Sequence, residues 1–211
     1  MCFSFEASIV SFLIGSLTSI WIIFLGRPFD KIVGGYWLYV CLMQGIEAIL
    51  WKHQTCDDLH KTVSFIGYLL NVSQPVTLAV LSFTFSKYAR PIPLAIISIL
   101  YMLYGLTYFF RLHTDTYYCT APRKGDPHLL WNWTVNNEYL YDWTAYALAM
   151  YGIAYFGMTG LQAFLFLATF NTLLFWSFIF YPRQSIASIW CFFAALCPPG
   201  YIIFRKLGYI L

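Results

Sequence analysis

Charge is what this sequence has least of. Only 12 Lys+Arg and 9 Asp+Glu occur in 211 residues, so 10% of the chain is charged against 60% hydrophobic. A soluble domain of average make-up carries about 25% charged residues. So few charges cannot cover a soluble body of this size. The shortage excludes a soluble globular domain, a disordered chain and a nucleic-acid-binding domain, and it points to a polytopic membrane protein. Basic runs are missing too, so the sequence suggests neither a polybasic lipid switch nor a nucleic-acid partner. The opening residues, Met1 to Glu6, contain no Lys or Arg. A secretory signal needs a positive start, so the first apolar run is expected to remain as a helix.

Other absences narrow the chemistry. No apolar run contains a histidine, which excludes bis-histidine haem within the bilayer. The last run has no lysine for a retinal Schiff base, because Lys206 lies past its end. Ser-x-x-Lys, Gly-x-Ser-x-Gly and His-Glu-x-x-His are all absent, and the reading leans away from an enzyme. No cofactor is predicted. No internal repeat is recognisable, which weakens an inverted-repeat transporter reading.

What the chain has in abundance is apolar length. A spanning helix needs roughly 20 mostly apolar residues. Seven such runs lie at 7–25, 33–51, 62–86, 91–110, 139–156, 159–181 and 184–204. Turn residues separate them, as at Gly26-Arg27-Pro28, Gly157 with Gly160, and Pro182-Arg183. The expected fold is all-α: a single seven-helix transmembrane bundle with short connections and antiparallel neighbours. The exception is the loop 111–138, long enough to be functional or tied down. In the first run, Ser8, Ser11, Gly15, Thr18 and Ser19 recur at helical spacing, a pattern for close helix packing in lipid. Tyr117, Tyr118, Trp131, Trp133 and Tyr181 are expected in interfacial belts.

Seven spans place the N-terminus, the second-to-third loop, the long loop and the sixth-to-seventh loop on one side, here the N side. Its loops hold Lys52, Lys61, Arg111, Arg123, Lys124 and Arg183, and the other side holds Arg27, Lys31, Lys87, Arg90, Arg205 and Lys206. Six against six leaves the positive-inside rule silent. The sequon Asn132-Trp133-Thr134 and the loop cysteines Cys56 and Cys119 favour an N side facing outward or into a lumen, with the C-terminus cytoplasmic. A Cys56–Cys119 bridge would pin the long loop. Free thiols are one alternative, and a metal site using His53, Cys56 and His60 is a weaker one.

Ionisable groups inside a span are costly and tend to mark function. Gln44 and Glu47 share a face of the second run. At 1.5 Å per residue they lie about 10 and about 6 Å below the N-side end. Asn71, Gln74, Asp142, Asn171 and Cys191 fall in the same half of the bilayer, with Glu6 at its mouth. The functional reading is a polar pocket open to the N side and centred on Glu47. The plainer one is a Glu47 bonded to Gln44, Asn71 or a tyrosine as interhelical glue. The expected partners are the bilayer and a small solute or ion. A homo-oligomer is left open.

Three stretches then stand together: Met1-Cys2-Phe3-Ser4 followed by Ala7-Ser8, Gln44-x-x-Glu47-x-x-x-Trp51, and Ile189-Trp190-Cys191-Phe192-Phe193-Ala194-Ala195. The chain resembles a family of small multi-span membrane proteins of bacteria and giant DNA viruses that begin Met-Cys-Phe-Ser. The resemblance implies a shared fold and no assigned activity. It draws attention to Cys2, Gln44, Glu47, Trp51, Trp190 and Cys191. If Cys2 folds to the N-side mouth, a Cys2–Cys191 disulfide or a thiol-and-carboxylate metal site is conceivable, while Cys191 as a plain buried residue explains it equally well. Three functions stay open: transport or permeation of protons, ions or a small solute; a non-transporting assembly or receptor-like protein; and a membrane-embedded thiol or metal enzyme using Cys2 and Cys191.

Overall fold

The computed structural model of the chain describes residues 4–114, 119–122, 129–131, 139–180 and 185–207. Its helices are α1 (Phe5–Phe24), α2 (Pro28–Lys52), α3 (Asp58–Val72), α4 (Gln74–Phe85), α5 (Pro91–Thr114), α6 (Tyr139–Gly157), α7 (Gly160–Phe180), α8 (Ile186–Ala194) and α9 (Cys197–Lys206). The fold is all-α. The helices occupy the seven expected runs, because α3 with α4 fills the third and α8 with α9 the seventh. By length and composition, α1, α2, α7 and the stretch Ser188–Lys206 can each cross a membrane, and α3 with α4 makes a fifth span bent by 48°. The apolar helices make this a multi-pass membrane protein. At 24 and 19 residues, α5 and α6 are long enough to join them.

Local chemistry sets the helix ends. The Ser4 hydroxyl accepts from the Ala7 amide at the start of α1, and Asp57 accepts from the His60 amide at the start of α3. Thr159 and Gln162 cap α7 reciprocally. Gly26, at φ 87°, supplies the left-handed turn between α1 and α2. Proline stands in the first turn of α2, α4 and α9, where its missing N–H costs nothing. Pro75 and the Pro198-Pro199 pair thus start new helices rather than kink old ones. At the α3–α4 break the Ser73 hydroxyl donates to the Leu69 carbonyl, 2.5 Å away, and pairs with the Tyr39 hydroxyl at 2.6 Å. Those bonds re-satisfy polar groups that a bilayer would leave stranded.

Helix α2 is the centre of the bundle and packs against α1, α3, α4, α8 and α9. The small-residue face of α1 does what its pattern predicts: Ser8, Ser11, Gly15 and Ser19 are buried, while Thr18 is half-buried and bonds its own helix. A β-carbon at Gly15 would stand 2.4 Å from Cys41 Sγ, and one at Gly34 2.7 Å from the Ser19 carbonyl oxygen. The helices alternate in direction. Lys52 lies over the Phe5 ring at one end of the bundle, and the Arg90 amide donates to the Phe156 carbonyl at the other.

The long loop carries structure that its composition did not suggest. Strands β1 (Ala121–Pro122) and β2 (Leu129–Leu130) pair antiparallel, with Ala121 opposite Leu130. Trp131 follows β2 and is fully buried, so the belt expectation fails for it. Its ring lies against Gly67 of α3, where the missing side chain leaves it room. Tyr117, Tyr118, Trp133 and Tyr181 lie outside the described residues.

Candidate functional site

The expected contact within α2 forms. Gln44 Nε2 donates to Glu47 Oε2 at 2.6 Å. The second carboxylate oxygen accepts from a residue the sequence reading passed over, Ser188 of α8, at 2.5 Å. The Ser188 oxygen in turn accepts from the Trp131 indole N–H at 3.3 Å. On the other flank, the Ser11 hydroxyl donates to Gln44 Oε1 at 2.9 Å. The result is one chain of hydrogen bonds running Trp131, Ser188, Glu47, Gln44, Ser11. It joins the long loop to α8, α2 and α1. None of the five side chains is more than 3% exposed. The only sequence signal for Ser188 was its place one turn before Cys191, which puts both on one face of α8.

A second buried cluster lies beside the first. The Tyr146 hydroxyl of α6 donates to Gln74 Oε1 of α4. The Gln74 amide nitrogen is buried without a hydrogen-bond partner. Around the cluster stand aromatic rings: Trp190 packs edge-on to Tyr146 and Phe170, with centroids 6.4 and 5.8 Å apart. The indole nitrogen of Trp190 is buried without a partner, and so is that of Trp51.

The remaining expected residues are placed apart. Asp142 accepts from the Tyr104 hydroxyl at 2.5 Å, so it joins α5 to α6. Asn171 accepts from Tyr151 at 2.6 Å on an exposed face. Asn71 is buried in the last turn of α3, and Glu6 is exposed in the first turn of α1. Thus the polar residues form separate clusters, and the group around Glu47 is closed off from the surface. Cys2 lies outside the described residues, and Cys191 is a fully buried thiol.

At the N-side end, Cys56 and Cys119 form a disulfide with Cα atoms 5.7 Å apart. Next to it, His60 Nδ1 is 2.5 Å from the His53 carbonyl oxygen. A carbonyl only accepts, so Nδ1 carries the proton and Nε2 accepts from the Thr120 amide at 3.2 Å. His60 therefore clamps the loop one residue beyond the bridge. Asp57 pairs with His53 at 2.7 Å. The His60 amide, and then the His53 ring, hold the Asp57 carboxyl below its ordinary value. The weaker metal alternative loses its ligands: Cys56 is bridged and both His60 nitrogens are engaged. Among the described residues, no three His, Cys, Asp or Glu side chains converge to hold a metal.

No protein-family model matches the chain, and no curated protein or solved structure matches it either.

Proposed function

We propose that the protein conducts protons or a small cation across its membrane, with Glu47 as the group that takes up and releases charge. The observation that supports this reading is the Glu47 carboxyl itself: fully buried inside a bundle of apolar helices, and bonded to donors from its own helix and from α8. A carboxylate there is costly, and such groups tend to mark function. Ser188 and Gln44 donate to the carboxyl and Ser11 donates to Gln44, so the site is joined to α8 and α1. We place the N side outside or in a lumen, because a Cys56–Cys119 bridge belongs in an oxidising compartment.

Proton and cation flux in proteoliposomes tests the reading, comparing the wild type with Glu47→Gln. The amide keeps the shape of the carboxylate but cannot exchange a proton. The expected result is flux in the wild type and none in the variant, with the disulfide and the melting temperature intact. Absence of wild-type flux at every pH and voltage overturns the proposal and leaves Glu47 as interhelical glue.

A further inference from the structure

One face of α3 holds the long loop. His60, Ser64 and Gly67 follow at spacings of four and three, so they share that face. The Thr120 amide lies 3.2 Å from His60 Nε2 and 3.3 Å from the Ser64 hydroxyl oxygen. The Trp131 ring fills the space beside Gly67. Pairing of Ala121 with Leu130 connects the two contacts, because one step further in that register Thr120 stands across from Trp131. Thr120, Leu129 and Trp131 are all buried. The strand pair is therefore fastened to α3 at one corner by His60. At the other it is joined to the Glu47 site, through the Trp131 indole N–H on Ser188.

The His60 corner requires a neutral ring. Nδ1 donates its proton to the His53 carbonyl oxygen, and Nε2 must present a lone pair to the Thr120 amide. A second proton would sit on Nε2 and face the amide proton, donor against donor, at a residue that is 1% exposed. A free carboxylate could offset that conflict, but the near one is engaged: Asp57 accepts from the His60 amide with one oxygen and pairs with the His53 ring through the other. The His53 ring, its centroid 6.5 Å from that of His60, adds positive charge when protonated. Lys61 and Asp58 are exposed and stand 3.9 Å from each other, while Lys52 lies over Phe5 of α1. The described loop residues bring no charge, since Cys119 is bridged and Thr120, Ala121 and Pro122 are uncharged.

Histidine is the side chain whose charge changes between about pH 5 and pH 8. All four histidines of the chain fall on the N side. The opposite end is closed by other chemistry. There Asp30 of α2, its side chain 2% exposed, is held by the Arg205 guanidinium and by the Tyr201 hydroxyl of α9, the latter at 2.7 Å. Neither of those helices contains a histidine.

We propose that His60 is a proton sensor of the N side: a second proton taken from that solution opens the Thr120 contact, lifts the strand pair from α3 and breaks the Trp131 bond to the Glu47 site. The proton ends on Nε2 and nothing else is consumed. The Cys56–Cys119 bridge stays closed and keeps the loop in place, so neutral pH restores the contact. The sensor stands on the His60 geometry; that its opening serves Glu47 rests on the conduction reading above.

Hydrogen exchange by NMR of the oxidised full chain in detergent tests it, read at the Thr120 amide and the Trp131 indole and corrected for the intrinsic effect of pH. From about pH 8 to about pH 5 opening of both is expected to rise, approaching about tenfold per pH unit, the slope for one linked proton. His53→Gln is expected to keep the response and His60→Gln to lose it. Should His60→Gln fail to hold the loop at neutral pH, the nitrogen chemical shifts of the wild-type His60 ring decide. The ring is expected to carry one proton, on Nδ1, at neutral pH and to become doubly protonated in step with the Thr120 opening. Glu47→Gln is expected to respond to acid as the wild type does, so a protein without flux still shows the sensor. A Thr120 contact insensitive across this range, a response that survives in a folded His60→Gln, or a His60 ring that stays neutral while the loop opens overturns the proposal.

Discussion

Trp131 occupies the space that Gly67 leaves empty: a β-carbon on Gly67 would stand 2.5 Å from Cη2 of the indole. The loop's one described tryptophan is thereby seated inside the bundle. Gly67→Ala must push it out or shift α3. Overpacking of this kind costs about 1–3 kcal/mol. We expect a lower melting temperature in detergent and a Trp131 fluorescence shifted to the red. Unchanged melting and fluorescence would mean the ring is not seated there.

Ser188 serves two partners at once, accepting from Trp131 and donating to Glu47. Ser188→Ala leaves the indole N–H and one carboxylate oxygen each short of a bond. Stranding buried polar groups costs about 1–3 kcal/mol. Ser188→Thr keeps the hydroxyl and should recover most of the loss. If alanine and threonine behave alike in a melting assay, the hydroxyl contributes nothing.

The Cys56–Cys119 bridge joins residues 63 apart in sequence. Its removal releases the long loop, and the typical cost is about 2–4 kcal/mol. The lower end applies here, because α3 to α5 stay in the membrane when the loop comes free. Reduction, or Cys56→Ala with Cys119→Ala, should lower the melting temperature and expose the Thr120 amide to hydrogen exchange. Exchange that stays as slow as in the oxidised protein would show that the His60 clamp alone holds the loop.

Asp57 makes the start of α3 sensitive to acid. Its carboxyl titrates below the ordinary value in the folded protein, chiefly because the His60 amide bonds to it. The sign follows from linkage: a depressed folded value gives stability that is present above about pH 4 and is lost as pH falls through the folded value. Protection of the His60 amide should fall in acid for the wild type, and Asp57→Asn should flatten that dependence. A wild type whose α3 start is equally protected in strong acid would contradict the cap.

Local features were legible because they depend on spacing along one helix. Gln44 and Glu47, three residues apart, had to share a face. Cys56 and Cys119 were readable as a pair because both fall in loops of one side. Ser188 and Trp131 were not legible, since their partner Glu47 lies on another helix and only packing brings them together. Asn171 shows the reverse error. Its depth matched the polar layer, but rotation about α7 turns it toward Tyr151 on an exposed face. Depth along a helix can be counted from sequence, whereas azimuth in a uniformly apolar helix cannot.

The Asp30–Arg205 pair sets an order on biogenesis. Asp30 enters the membrane with the second span, and the cation that neutralises it belongs to the ninth helix, 175 positions later in numbering, 205 less 30. Between those events the nascent bundle holds a carboxylate with its counter-ion still unsynthesised, a burden of several kcal/mol if the site closed early. Closure of α1 and α2 against their neighbours is therefore expected to wait for the last helix. A chain stalled before Arg205 would present an open, acid-bearing seam, the kind of lesion by which membrane quality control tells an unfinished protein from a finished one.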